Sequence, residues 1–587
     1  MFLGKETFCK KRYKAMIVIF IVLLIILVLR LLFLVTFDRS FLLKKSLQQA
    51  DHPRIIPASR GVIFDRNGVP LAISAPIDNI IIDGKVFSQD PENIALLAQN
   101  PNLGLSIDQI KALLAPNPRS RYIIAKKNLP PNIANNIDDM NIPGVSVQRN
   151  QQSFYPEGPA FAQFIGFTDV NDAGQSGLEL SYNHFLAPIY GRQSVTESAL
   201  GQTYSINHLM KAAQDGHDLT LSIDSRLQYV AYQAVAAQVI AKNATWGGAV
   251  ILDPHTGEVL AAVSYPSFNP NSMTDRSGSN VKDQVITDQL EPGSSMKPVT
   301  ITEALASGQY SPTTPVDTNP GFYYVDGIMD NKHKVHDDDN FGMLTVTSVI
   351  TKSSNIGISK IGLSLPRQAL YNTFLSYGLG KKPTGGKYPG EASGFVYPLN
   401  QLGDFQFATM MFGYSISASL LQMARLYAAI ANDGVILPLS YVKLDKAPDG
   451  TRIMTPQVDQ QMIKILETVT SLDLGGTGFL ANVPGYVVAG KTGTAHVYNP
   501  KGGYFANQYD GFFVGMIPAN NPKLIIAVVM TNVKGYNGMG GIASAPVFGK
   551  IALAAMHILG IKPSNNEINL KIYKKTPQQL IQAAMEA

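Results

Sequence analysis

From Ala15 to Val35 the chain is an almost unbroken run of apolar side chains, and no other feature narrows its architecture as much. About 20 such residues, rising about 1.5 Å each, match a hydrocarbon core of about 30 Å. Lys5, Lys10, Lys11, Arg12 and Lys14 precede the run, a placement that keeps the leading end cytoplasmic and exports the chain beyond the span. A cleaved signal peptide would have an apolar core of about 7–15 residues and a small-residue cleavage site. Here the run is longer and exits into Phe37-Asp38-Arg39. Residues 15–37 therefore read as a retained transmembrane anchor and residues 1–14 as a cytoplasmic tail. Arg30 interrupts the run near its exported end, where it either snorkels to the interface or meets a partner membrane protein.

The 587 residues exceed what one hydrophobic core organises, so two or more domains are expected. Hydrophobic residues at 45%, charged residues at 16%, 50 Gly and 36 Pro indicate a turn-rich globular chain rather than a disordered one. A net charge of +5, with basic residues scattered beyond the N-terminal cluster, leaves no nucleic-acid footprint. Cys9 is the only cysteine, which rules out an intrachain disulfide and argues against thiolate chemistry.

Residues 38–223 carry short β-like runs, such as Gly61–Asp65 and Asn79–Asp83, broken by Asn117-Pro118 and Pro130-Pro131. No nucleophile meets a base there, so this stretch reads as an elongated, β-rich, non-catalytic pedestal. Residues 224–565 read differently. Ser225–Ala241 is an amphipathic helix pattern. Ala249–Leu252 and Val259–Val263 flank the turn Asp253–Gly257. A helical stretch comes next at Ala418–Ala431, then strand patterns at Tyr486–Val488, Phe512–Met516 and Leu524–Met530. Strands, then helices, then strands imply an α+β fold, an antiparallel sheet with helices packed on it. Residues 566–587 are polar and read as a tail.

Three segments carry chemistry: Ser294-Ser295-Met296-Lys297, Ser353-Ser354-Asn355 and Lys491-Thr492-Gly493-Thr494. Glu291-Pro292-Gly293 is a turn from which Ser294 opens a helix through Ala304. Residues three apart share a helix face, so Lys297 lies beside the Ser294 hydroxyl. Pro298 is compatible with a first helical turn, where its missing N–H is not needed. Lys297 can act as a base only when neutral; burial, the helix N-terminus and a second nearby cation would all lower its pKa. On a strand, Thr492 and Thr494 share one face opposite Lys491, and Gly493 would admit a peptide-like ligand to the backbone of an exposed edge.

In this order the trio is the signature of penicillin-binding proteins and serine β-lactamases. From the anchor to about residue 560 the chain resembles class B penicillin-binding proteins. The likeness is carried by Arg60–Gly68, Tyr155–Gly158, Gly174–Glu179, Phe412–Tyr414 through Asn432–Gly434, and Ala489–Ala495. The resemblance implies the penicillin-binding/serine β-lactamase-like transpeptidase fold and a D,D-transpeptidase acting on peptidoglycan stem peptides and trapped by β-lactams. It implies that Ser294 attacks the D-Ala-D-Ala bond and Lys297 takes its proton. Ser353 relays a proton to the leaving D-Ala, Asn355 holds Lys297 and the substrate amide, and Lys491 orients Ser353. Thr492, Gly493 and Thr494 bind the substrate, whose oxyanion meets the Ser294 and Thr494 N–H groups at about 3–4 kcal/mol per donor. No cofactor or metal is implied. Where the family often has Arg-Asn, this chain has Lys282-Asp283-Gln284, leaving the local ion pairing open.

Ser353-Ser354-Asn355, Lys491–Ala495 and Gly166–Val170 look most like the division-specific FtsI type; the elongation type is the alternative. That resemblance implies a single-pass protein of the bacterial inner membrane at the septum, with its catalytic domain outside. A membrane glycan polymerase of the SEDS type and other division proteins are the implied partners. A membrane-bound serine β-lactamase or a β-lactam sensor is the more distant alternative. Class A β-lactamases deacylate with an added glutamate, whereas the only glutamates between Asn355 and Lys491 are Glu391 and Glu467, both without the matching context. His333, His336 and Asp337–Asp339 lack zinc-ligand spacing and read as a solvated loop. Tyr498, Tyr504, Tyr509 and Tyr536 surround the third motif, with their roles open.

Overall fold

The computed structural model describes residues 3–87, 91–197, 203–330 and 333–563, so the expected tail at 566–587 lies outside the described residues. The chain forms two compact units that alternate along the sequence. One takes residues up to 59, 76–151 and 188–215; the other takes 60–75, 152–187 and residues from 216 onward.

In the first unit, a helix over Leu3–Thr36 contains the apolar run. Its 26-residue stretch Lys11–Thr36 is long and apolar enough to cross a membrane, and the protein buries none of it. At about 1.5 Å per residue it spans roughly 39 Å, sufficient for a bilayer core with some tilt. The Arg30 guanidinium lies 5.5 Å from the Phe33 ring centroid, one turn along the same helix. Asp51–Ile56, Gly191–Glu197 and Thr203–Lys211 form a three-stranded antiparallel sheet. A separate small core gathers Ile80, Ile82, Phe87, Leu97, Ile110 and Ile137.

The second unit is organised by a five-stranded antiparallel sheet of β1 (Gly247–Leu252), β2 (Val259–Tyr265), β3 (Ala489–Tyr498), β4 (Tyr504–Ile517) and β5 (Leu524–Lys534). The spatial order is β2-β1-β5-β4-β3, so β3 is an edge. Five helices matter most here: α1 (Ser225–Lys242), α2 (Lys297–Ala306), α3 (Asn355–Ser364), α4 (Leu420–Ile430) and α5 (Ala545–Ile558). Both faces of the sheet are covered, which is why its strands read as continuous apolar runs. Val250, Leu252, Val514, Ile525 and Val529 face a core shared with α2, α3 and α4. Ala249, Ile251, Phe513, Ile526 and Val528 face a second core made by α1 and α5. The stretch Gly540–Ile558, which contains α5, is also apolar enough to span a membrane, but half of it is buried against this sheet, as in a core helix.

Two expectations about local structure need correction. Tyr486–Val488 is not a strand; β3 begins at Ala489 and contains the third motif within it. Tyr486 makes only a short bridge to Val483, and its ring and Val488 sit in the second core, so their apolarity reports burial rather than ladder pairing. The helix expected from Ser294 opens instead as a 3₁₀ turn over Gly293–Met296, and regular α-helix starts at Lys297.

Candidate active site

The 3₁₀ turn suits its task, because residues i and i+3 eclipse in that geometry and place Ser294 and Lys297 on one line. The turn is pressed against β3. Gly293 has φ +54°, and a Cβ there would lie 2.6 Å from the Thr494 carbonyl oxygen, so only glycine fits. Ser295 and Met296 are buried, while Ser294 between them and Gly293 remains partly exposed. From α4, the Tyr427 hydroxyl donates to the Ser295 carbonyl at 2.7 Å and pins the turn from behind.

Lys297 is completely buried. Its ammonium lies 2.9 Å from Asn355 Oδ1 and 3.2 Å from Ser353 Oγ, and it also donates to the Ser353 carbonyl. Burial lowers its pKa to about 7, against the partial opposition of Asp337 and Asp338. Ser353 itself has φ +60°, a conformation costly for a residue with a side chain. Ser354 then caps α3 by accepting from the Gly357 N–H at 2.8 Å.

Lys491, also completely buried, reaches the same serine, with Nζ 2.9 Å from Ser353 Oγ. Its ammonium is 3.1 Å from the Thr492 carbonyl and 3.2 Å from the Thr492 hydroxyl, so the long stem carries the charge around to its neighbour despite strand alternation. Burial first, then the Lys297 charge, holds the Lys491 pKa well below the usual lysine range. The Thr492 hydroxyl meets that of Thr477 at 2.7 Å, and the Thr494 hydroxyl accepts from the Gly540 N–H at 3.1 Å. Gly493 also has a packing purpose that the local pattern does not show. A Cβ there would sit 2.6 Å from the Pro292 carbonyl and 2.9 Å from Ser295 Oγ, so the glycine lets the Gly293–Met296 turn dock on β3.

Sequence reasoning misses Asp337. Its local pattern reads as a solvated loop, yet it is buried and accepts from the Ser354 hydroxyl and from the Asn355 and Ile356 N–H groups. Its neighbour His336 ends a strand, Lys334–His336, paired with Phe322–Tyr324. Three consecutive aspartates mask the one that is used. His333 pairs with Asp330 at 2.7 Å, and among the described residues no group of three or more potential ligands could hold a metal. Thr477 is missed too, having no local signal.

At the rim, Glu291 accepts from the Tyr504 hydroxyl at 2.9 Å and the Ser415 N–H at 3.3 Å, and burial raises its pKa. Tyr504 also meets Tyr414 and Tyr498 edge-on. Tyr509 packs on His496 with ring centroids 4.7 Å apart, and Tyr536 is exposed. The ion pairing left open by Lys282-Asp283-Gln284 is present: Lys282 pairs with Asp288, and Asp283 is buried.

A serine on a tight turn, a buried lysine three residues on and a second serine between two lysines define an active-site-serine acyltransferase arrangement. Comparison with known proteins agrees. Residues 247–553 match the penicillin binding protein transpeptidase domain and residues 55–221 the penicillin-binding protein dimerisation domain. The peptidoglycan D,D-transpeptidase FtsI of Escherichia coli K12 is 35% identical over 514 residues, 86% of this chain and 85% of that protein. The probable peptidoglycan D,D-transpeptidase PenA of Neisseria gonorrhoeae is 32% identical over 545 residues, 92% of each chain. Among solved structures, penicillin-binding protein 3 of Mycobacterium tuberculosis complexed with aztreonam aligns with a TM-score of 0.67 at 28% identity, covering 87% of this chain and 99% of that one. The transpeptidase domain of Burkholderia pseudomallei penicillin-binding protein 3 aligns with a TM-score of 0.53 at 38% identity, covering 59% and 97%. This chain belongs to the class B penicillin-binding proteins, which join a dimerisation domain to a transpeptidase domain.

Proposed function

We propose that the protein crosslinks peptidoglycan as a D,D-transpeptidase with Ser294 as nucleophile. The observation that carries this reading is the convergence of two buried lysines on Ser353, one of them Lys297 with its pKa near 7. At neutral pH a large fraction of Lys297 is unprotonated and can take the Ser294 proton as the hydroxyl attacks the D-Ala-D-Ala carbonyl. The Ser294 and Thr494 N–H groups would stabilise the oxyanion. Ser353, held by Lys491, passes a proton to the departing D-Ala nitrogen. An amine of a second stem peptide then takes the acyl group, with Asn355 holding Lys297 and Thr492, Gly493 and Thr494 holding the substrate.

In this reading residues 224–565 catalyse and residues 38–223 form the pedestal. The anchor at 15–37 leaves the catalytic domain on the outer side of the inner membrane. Similarity to FtsI proteins supports a septal role beside a glycan polymerase of the SEDS type. Retention of the acyl group has its own support. Both Glu391 carboxylate oxygens are engaged by Thr384 and Gly386, and Glu467 by Lys464, so neither is free to drive hydrolysis.

The test is intact-mass analysis of the full chain after exposure to penicillin, with the modified residue mapped. One adduct on Ser294, stable for many minutes and lost in Ser294→Ala, is expected. An adduct that survives Ser294→Ala, or rapid repeated hydrolysis of penicillin, would overturn the assignment. Depletion in cells should give long filaments; rounded cells would reassign the protein to side-wall growth.

A further inference from the structure

The second motif holds an uncommon conformation that its own residues do not explain. Ser353, with φ +60°, is followed directly by the first residues of α3. A left-handed conformation is strained for a residue with a side chain and persists only where its surroundings over-determine it. Those surroundings come from a segment upstream. Asp337 Oδ1 accepts from the Asn355 N–H at 2.5 Å and the Ile356 N–H at 3.0 Å, while Oδ2 accepts from the Ser354 hydroxyl at 2.5 Å. These N–H groups belong to the first turn of α3, where donors lack helical partners and a negative charge is favoured. The adjacent His336 carbonyl accepts from Asn355 Nδ2 at 3.2 Å. Both nitrogens of Asn355 are thereby held by residues 336 and 337, which leaves Oδ1 turned to Lys297.

We propose that Asp337 is a positioning residue of the acylation step, fixing the Ser353 turn and the Asn355 amide while setting a negative charge behind the Lys297 ammonium. This rests on the assignment of Lys297 as the base. The charged groups facing Lys297 are Lys491 on β3, and Asp337 and Asp338 beyond the Lys334–His336 strand. Glu303 on α2 is turned to Thr373, Lys360 on α3 to the Asp317 carbonyl, and the His336 ring is exposed. Asp337 and Asp338 raise the proton affinity of Lys297 against burial. Removing the Asp337 charge therefore favours neutral Lys297 at lower pH.

The test is the pH profile of the second-order acylation rate with a fluorescent penicillin, using the full chain in detergent. The parent's acid limb should fall near pH 7. Asp337→Asn retains an oxygen for the two N–H groups, and its acid limb should move down by about half to one pH unit. Asp337→Ala, which frees both Ser353 and Asn355, should slow acylation about tenfold or more at all pH values. An Asp337→Asn acid limb superimposed on the parent's would overturn the proposal, whether or not Asp337→Ala folds. A parent that is not labelled at Ser294 would instead overturn the enzyme assignment.

Discussion

Two charged clusters are buried in the second unit, and they are built on opposite principles. At Arg60 every interaction is matched. Its guanidinium donates to the Glu179 carboxylate at 2.8 and 2.5 Å, to Asn183 Oδ1 at 2.9 Å, and to the Asp172 and Glu179 carbonyls at 3.1 and 3.2 Å. At the active site two lysines share one serine hydroxyl, and among the described residues no carboxylate forms an ion pair with either. The matched cluster gives every guanidinium nitrogen a fixed acceptor. The unmatched one leaves proton affinity adjustable, which is what a base working at neutral pH requires.

Breaking the unmatched cluster should have the largest effect on chemistry. Lys297→Ala is expected to slow penicillin acylation of Ser294 by about 10²–10⁴-fold, read by stopped-flow or gel labelling. Its thermal stability should fall by less than that of the next variant, because the cavity it leaves is offset by removing a buried amine with no carboxylate within ion-pair distance. Arg60→Met should do the reverse. It leaves Glu179 buried and unpaired, for a loss of about 3–5 kcal/mol in denaturant unfolding, with Ser294 still labelled in the folded fraction. If Lys297→Ala proved the more destabilising of the two, the contrast between the clusters would collapse.

Asp283 sharpens the comparison with a smaller effect. It is fully buried, its Oδ1 accepts from Ser264 at 2.9 Å, and its other oxygen has no partner. Burial raises its pKa to about 7 from an unfolded value near 3.8. The folded state therefore holds this proton more tightly, and stability is lost as pH rises from about 4 through 7. Asp283→Asn should melt higher than the parent at pH 8 and equal to it at pH 4, as measured by differential scanning fluorimetry. A variant-minus-parent difference independent of pH would show that Asp283 is not the titrating group.

Much of this is legible along the chain. The long apolar helix, the α+β class and the three motifs emerge from local patterns, since apolar length, strand runs and three-residue spacing are each expressed within a few residues. The same local logic misreads Tyr486–Val488, where packing rather than pairing selects apolar residues, and gives no sign that Gly493 also makes room for the Gly293–Met296 turn. Asp337 looks like one of three loop aspartates because nothing within its own segment marks the helix end it caps.

Sequence alone thus determined the parts: a run long and apolar enough to span a membrane, a serine with a lysine one turn away, and two further motifs in order. Only the tertiary structure decided that Lys297, Asp337, Ser353, Asn355 and Lys491 lie together, which of the aspartates joins them, and that both lysines are buried, which lowers the proton affinity of each. The physical reason is range. Backbone periodicity acts over a few residues, whereas convergence and desolvation depend on how the sheet and its two cores bring distant segments together.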